Sequence, residues 1–187
     1  MFKSRVSVRD PSSMLALCVG FSAALILGAH LFERVGHLAP CALCLDQREA
    51  HWAALGTGLA TLLAARVARA PSRLLAAALG AVALIYMFSA LLAGYHAGVE
   101  WSLWPGPATC SAGQDVSLAT GADLLRSLSE RGSGPACSDA PWRFAGISMA
   151  GYNAVISFIL ATIAAISCRA TADGLMAERV NAAALAE

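Results

Sequence analysis

Four stretches of the chain are apolar for about the length of a membrane crossing, and short polar stretches separate them. Residues 14–32 are almost continuously apolar, close to the ~20 residues that span a bilayer. That run exceeds the ~7–15 apolar residues of a cleaved signal peptide, so it predicts a retained helix. A second run covers residues 47–67 and carries small residues at Ala53, Gly56, Gly58, Ala60 and Ala64. Small side chains let transmembrane helices approach closely. The third run covers residues 74–95 and is rich in Ala and Leu; the fourth covers 145–168 and holds one amide, Asn153. The pattern predicts an all-α membrane protein: one four-helix transmembrane bundle that takes in the whole chain, 1–187.

The polar stretches are uneven. The start carries Lys3, Arg5 and Arg9, and residues 66–73 form a tight basic turn around Pro71. Residues 33–46 are a short loop. Residues 96–144 form a long one, punctuated by Pro105, Pro107, Pro135 and Pro141. Within it Leu118, Ala122, Leu125 and Leu128 recur at helical spacing, which predicts a short amphipathic helix, either interfacial or in a soluble loop. The tail, 169–187, is mixed and reads as a frayed helix.

Composition supports lipid as the solvent. The chain is 58% hydrophobic and 13% charged, whereas soluble domains carry about 25% charged residues. The net charge of +1 points to no partner by itself, and no nucleic acid is expected. Its distribution is informative. Four spans put both termini on one side, together with eight of the thirteen cationic residues and only four of the twelve acids. The positive-inside rule then places the termini in the cytoplasm. The loops 33–46 and 96–144 face the opposite compartment, which in a bacterium is the periplasm, where disulfides persist.

Those two loops hold four of the six cysteines. Cys41 and Cys44 form a Cys-x-x-Cys pair, a spacing shared by redox motifs and zinc sites. A helix beginning near Cys44 would set that sulfur at a helix N-terminus, where positive partial charge favours a thiolate. Arg48 lies one turn later on the same face. It can stabilise negative charge on Cys44 or on a bound oxidant, or it can be an interfacial arginine paired with Asp46 or Glu49. Cys110 and Cys137 can be a loop staple or an exchangeable disulfide; a zinc site shared by all four sulfurs is a further alternative. Cys18 and Cys168, within the apolar runs, read as small buried hydrophobes. His96 sits at the exit of the third run, near the height of Arg48. His30, Glu33, Arg34 and His37 read as interface residues. Trp52, Trp101, Trp104 and Trp142 lie at span ends on the cysteine side, as an aromatic belt would.

The stretch Pro40-Cys41-Ala42-Leu43-Cys44-Leu45-Asp46-Gln47-Arg48 resembles the Pro-Cys-x-Leu-Cys-x-x-x-Arg signature of the disulfide bond formation protein B (DsbB) family. Trp104-Pro105-Gly106-Pro107-Ala108-Thr109-Cys110 is similar to that family's approach to its third cysteine. Cys137 followed by Trp142-Arg143-Phe144-Ala145-Gly146-Ile147-Ser148-Met149 resembles its passage from the fourth cysteine into the last helix. The resemblance implies a multi-pass protein of the bacterial inner membrane, a dithiol:quinone oxidoreductase that re-oxidises a DsbA-like periplasmic thiol oxidase. It implies that Cys110 takes the attack of the reduced partner, that Cys137 passes electrons to Cys41, and that Cys44 meets the quinone, ubiquinone or menaquinone. Arg48 matches the family's quinone-site arginine. His96 matches its quinone-proximal histidine only loosely, because an ungapped match back from Cys110 falls on Ala97. The other readings are a non-catalytic scaffold with structural disulfides or zinc, and a vitamin K epoxide reductase-like enzyme. The arginine after the first pair, and the second pair's position in the last loop, argue against the latter.

Overall fold

The computed structural model describes residues 10–69, 71–107, 110 and 135–185. The amphipathic helix expected around Leu118 and Leu128 lies outside them. Among the described residues the chain forms four helices: α1 Pro11–Arg34, α2 Ala42–Val67, α3 Ser72–Glu100 and α4 Met149–Ala184. Helices α1, α3 and α4 are long and apolar enough to cross a membrane, so this is a multi-pass membrane protein. Helix α2 has comparable length, but Asp46, Gln47, Arg48, Glu49 and His51 occupy its first turns. Those polar residues set it apart from the other three.

The helix ends explain where the apolar pattern misjudges boundaries. Helix α1 starts at Pro11, ahead of the apolar run, because Asp10 accepts hydrogen bonds from the Ser12 and Ser13 N–H groups and proline suits the first helical position. Helix α3 continues beyond residue 95 to Glu100 and stops in a Schellman motif. The Leu103 N–H bonds the Gly98 carbonyl and the Ser102 N–H bonds Val99, with Ser102 at φ 57°. Residues 143–148 are not helical. Strands β1 (Arg143–Phe144) and β2 (Ile147–Ser148) pair antiparallel with Phe144 opposite Ile147. The two-residue turn Ala145–Gly146 has positive φ at both positions, as primed hairpin turns require. That turn delays α4 to Met149, where the Ser148 hydroxyl caps the Gly151 N–H. The helix then runs unbroken to Ala184, through the tail expected to fray.

The bundle core is built from all four helices. Leu15 and Cys18 of α1, Ala54 of α2, Leu79, Val82 and Tyr86 of α3, and Leu160 and Ala164 of α4 pack together. Cys18 is buried in this cluster and Cys168 is half-buried against it, as their apolar settings suggest. Small residues bring the helices close: Ala78, Ala83, Ala161 and Ala164 belong to the same cluster. At Gly58 of α2 an added Cβ would lie 2.6 Å from Val19 Cγ2 of α1, so α1 and α2 meet over a bare backbone. Trp52, Trp101 and Trp104 are exposed. Trp142 instead joins an aromatic cluster, with ring centroids 5.3 Å from Phe32 and 6.1 Å from Tyr152.

Because Val19 is branched at Cβ and cannot swing aside, Gly58→Ala is expected to lower stability in detergent by about 1–3 kcal/mol. Gly56→Ala, two residues away with nothing within 4 Å of its Cβ position, is expected to be neutral or better. Thermal unfolding of both variants, and of Gly58→Ala combined with Val19→Ala, checks this; the double variant should recover part of the loss.

Candidate functional site

The sulfur of Cys41 forms the N-cap of α2, accepting the Cys44 backbone N–H at 3.3 Å. The helix therefore begins at Ala42, five residues before its apolar run. Cys44 falls in its first turn, where unpaired N–H groups and the helix dipole favour negative charge. The two sulfurs are 2.9 Å apart and unbonded, with the Cys41 thiol donating to Cys44. Both residues precede the apolar run of α2. The Cys41 thiol is pushed up, first by this hydrogen bond and then by burial. The Cys44 thiol is pulled down, first by the same bond; the Arg48 charge helps, while burial and Glu100 oppose. One sulfur keeps the proton so that its neighbour can carry the charge.

The second pair, Cys110 and Cys137, is a disulfide. All four cysteines of the two loops share one packed cluster: Cys41, Cys110 and Cys137 are buried with Leu43 and Val99, and Cys44 and Leu92 pack against them. The fold achieves this by turning the chain back over α3. The Trp104 indole N–H donates to the Tyr95 carbonyl at 3.0 Å and the Tyr95 hydroxyl donates to Pro105 at 3.0 Å. The two rings stack at 5.9 Å. Trp104 lies over Gly98, where any Cβ would run into the indole. This strap holds the approach to Cys110 against the end of α3. The β1–β2 hairpin holds the other side, with Arg143 donating to the Glu100 carbonyl at 3.3 Å.

His96 of α3 is 2% exposed and faces the first pair, with Nε2 3.6 Å from the Cys41 sulfur. Its Nδ1 is 2.8 Å from Gln47 Nε2. Glu100, one turn on, is also buried; Oε1 lies 3.9 Å from His96 Nε2, and among the described residues Oε2 has no hydrogen-bond partner. Among the described residues, Cys41, Cys44 and His96 present ligand-type atoms within 4.8 Å of one another, a spacing open to a metal ion. Beyond them runs a polar ladder: Gln47 Oε1 accepts from Asn153 Nδ2 at 2.8 Å, and Asn153 Oδ1 lies 2.9 Å from His51 Nε2.

Arg48 turns away from Asp46 and Glu49. Its guanidinium donates to Glu33 of α1 at 2.5 Å and to the Ala29 carbonyl at 3.5 Å. The acid at 33 is thus the partner that a cation at the bilayer rim requires, rather than a simple interface residue. Arg48, Cys44, His96, Glu100 and Gln47 line one cavity of about 220 Å³, walled by Leu25, Ile26 and Phe32 of α1 and Ile156 of α4. A second cavity, of about 470 Å³, lies beside the Cys110–Cys137 bond under Trp104 and Pro105.

Of the candidate site residues, Cys44, Arg48 and His96 line the first cavity and Cys110 and Cys137 the second, with Cys41 buried beside Cys44 and His96. His96 lines the first cavity with Arg48 and also meets Cys41. Sequence reasoning missed Gln47, His51 and Glu100, and noted Asn153 only as a lone amide. The available signal was their spacing. Gln47 and His51 are four apart on one face of α2, and His96 and Glu100 four apart on α3. Polar residues inside apolar helices need partners.

No curated protein matches the chain. The family model described as "Disulfide bond formation protein DsbB" matches residues 11–167, a stretch that includes all four helix starts and both cysteine pairs. A multi-pass helical protein with its two cysteine pairs packed at one end of the bundle, matched over most of its length, belongs to the disulfide bond formation protein DsbB family.

Proposed function

We propose that the protein is a protein-dithiol:quinone oxidoreductase of the bacterial inner membrane that re-oxidises a DsbA-like periplasmic thiol oxidase. The single observation that carries this reading is the common cluster of Cys41, Cys44, Cys110 and Cys137. Disulfide exchange needs thiolate and disulfide in reach of each other, and two independent staples would have no reason to share a core. Family membership supports an oxidoreductase role in disulfide formation. In this reading α2 is a fourth span, its polar first turns serving the site, and both termini are cytoplasmic, as the excess of Lys and Arg at that end suggests.

The partner's thiolate attacks Cys110, and the Cys110–Cys137 bond breaks to leave a mixed disulfide and a Cys137 thiolate. The partner's second thiol then displaces Cys110 and leaves oxidised. Cys137 attacks Cys41 of an oxidised first pair, Cys44 departs as a thiolate, and Cys110 closes on Cys137 to restore their bond. Two electrons and two protons have then moved from the partner to Cys41 and Cys44. A quinone bound in the cavity beside Cys44 supplies the acceptor for them. The cavity suits such a group: its apolar walls would take a ring and tail, and Arg48 would offer N–H donors and a fixed charge at one end. Oxidising a strong thiol oxidase is uphill for an ordinary disulfide, by about 1.4 kcal/mol for every 30 mV of mismatch. An acceptor outside the loop pair must therefore pull.

The cluster of Cys41, Cys44 and His96 favours one second reading, a metal-holding scaffold. Stoichiometric zinc in protein purified without chelator, with thiols inert to a reduced partner, would favour that reading; zinc-free protein turning over partner and quinone would favour the enzyme.

Three outcomes are expected. Cys44→Ser removes quinone reduction while leaving a single exchange at Cys110 intact, measured by quinone absorbance and thiol trapping; an unchanged quinone rate defeats the electron path. Arg48→Ala raises the KM for quinone about tenfold, equivalent to ~1.4 kcal/mol, with little change in partner affinity. In reduced protein the lowered Cys44 thiol stays ionised at a pH where Cys41 is protonated. Limited alkylation near neutral pH, read by peptide mass spectrometry, should label Cys44 first, and labelling should fall as pH drops through its midpoint.

A further inference from the structure

The polar ladder behind the first cysteine pair has a direction. Gln47 has a single orientation that satisfies its neighbours. Its Nε2 lies 3.1 Å from the Leu43 carbonyl oxygen, an obligate acceptor, so the amide nitrogen must face Leu43. The same NH2 group spends its other hydrogen on His96 Nδ1 at 2.8 Å. His96 Nδ1 is therefore an acceptor, and the ring carries its proton on Nε2. That N–H faces the Cys41 sulfur at 3.6 Å, and His96 also hydrogen-bonds the Cys137 backbone. On the other side, Gln47 Oε1 must accept, so Asn153 Nδ2 donates at 2.8 Å. Asn153 Oδ1 then accepts from Ser157 at 3.1 Å and from His51 Nε2 at 2.9 Å.

Every donor in this series points the same way: His51 to Asn153, Asn153 to Gln47, Gln47 to His96, His96 to Cys41, Cys41 to Cys44. We infer that Gln47 and Asn153 are positioning residues which hold His96 as the Nε2–H tautomer and so polarise Cys41 toward a thiolate on Cys44. Hydrogen bonds in a head-to-tail chain strengthen one another where the surroundings exclude water. Gln47, His51, His96, Ser157 and Cys41 are all buried. The chain draws its members from α2, α3 and α4, so the ionisation of a sulfur at one helix terminus depends on amides fixed by packing deep in the bundle. The same tautomer turns an N–H, not a lone pair, toward the sulfurs. A metal ligand at His96 Nε2 would need the opposite and would break the bond between Gln47 and Leu43.

Other charged and titratable groups face the same sulfur. Arg48 stands on the Cys44 helix with Glu33 of α1 behind it, Glu100 of α3 lies beyond His96, and Tyr152 of α4 lines the cavity. The test therefore uses neutral substitutions that leave all of them in place. The inference rests on Cys44 as the reacting sulfur, but its readout involves neither quinone nor partner, so it can fail while that assignment stands, and the reverse.

The full-length protein, reduced with dithiothreitol in detergent, is measured in two ways. Imidazole 15N chemical shifts report the His96 tautomer, and mass spectrometry reports the pH midpoint of Cys44 alkylation. The wild type is expected to carry the proton on Nε2. Gln47→Met, which keeps length but removes the donor, is expected to mix the two tautomers and raise the midpoint by about one pH unit. Asn153→Leu, which touches neither sulfur nor His96, is expected to raise it by less. Thermal unfolding identifies any variant that fails to fold, in which case the wild-type tautomer alone decides. A proton on Nδ1 in the wild type, or an unmoved midpoint in a folded variant, overturns the inference.

Discussion

One proton shared between two sulfurs sets the terms for the rest of this protein. Cys41 and Cys44 lie 2.9 Å apart at the first turn of α2. Neither can lose its charge state without changing the other's. A thiolate in a low-dielectric setting is costly unless donors surround it. Around the pair, the Cys41 thiol donates to Cys44, the Cys44 backbone N–H and the His96 imidazole meet the Cys41 sulfur, and the Arg48 guanidinium lines the same cavity as Cys44. Three of these groups belong to the start of α2, but His96 comes from α3 and Arg48 is held by Glu33 of α1, so the site exists only when the helices are packed.

That requirement explains several features that would otherwise look like poor membrane design. Helix α2 carries Gln47, Arg48, Glu49 and His51 where an apolar helix would be cheaper to bury. Gln47 and His51 point inward to the ladder and are buried, and Arg48 is matched by Glu33 on α1. Glu100, buried and with one oxygen unpartnered among the described residues, lies one turn beyond His96 at the end of α3. The loss of hydropathy in α2 reflects the demands of the site, and α1, α3 and α4 supply the compensating apolar surface.

The second cysteine pair illustrates how a long polar loop is tied to a rigid frame. The Schellman stop after Glu100 reverses the chain, and Trp104 lands on Gly98, a position where only glycine leaves room. The hairpin at 143–148 does the same from the other side, its turn made possible by Gly146. Between these two straps Cys110 and Cys137 meet, against Val99 and Leu43. The disulfide lies in the same cluster as the first pair because both straps are anchored on α3.

The sequence by itself determined the helical, membrane-embedded character of the chain: it offers four apolar runs of about span length, of which three form helices long and apolar enough to cross a membrane among the described residues. It also determined the loops that hold the cysteines, the Cys-x-x-Cys-to-Arg48 spacing and the family resemblance. Helix boundaries were legible to within a few residues, except where caps and turns intervened: Asp10, Cys41 and Ser148 each placed a helix start that apolarity alone misjudged. Only the tertiary structure decided the pairings between helices. Glu33 with Arg48, His96 with Cys41, and Gln47 with Asn153 join residues that are 15, 55 and 106 positions apart. Periodicity marks which face of a helix is buried, but not what it meets. A polar side chain in an apolar helix announces that it needs a partner, and the packing of the bundle chooses which one.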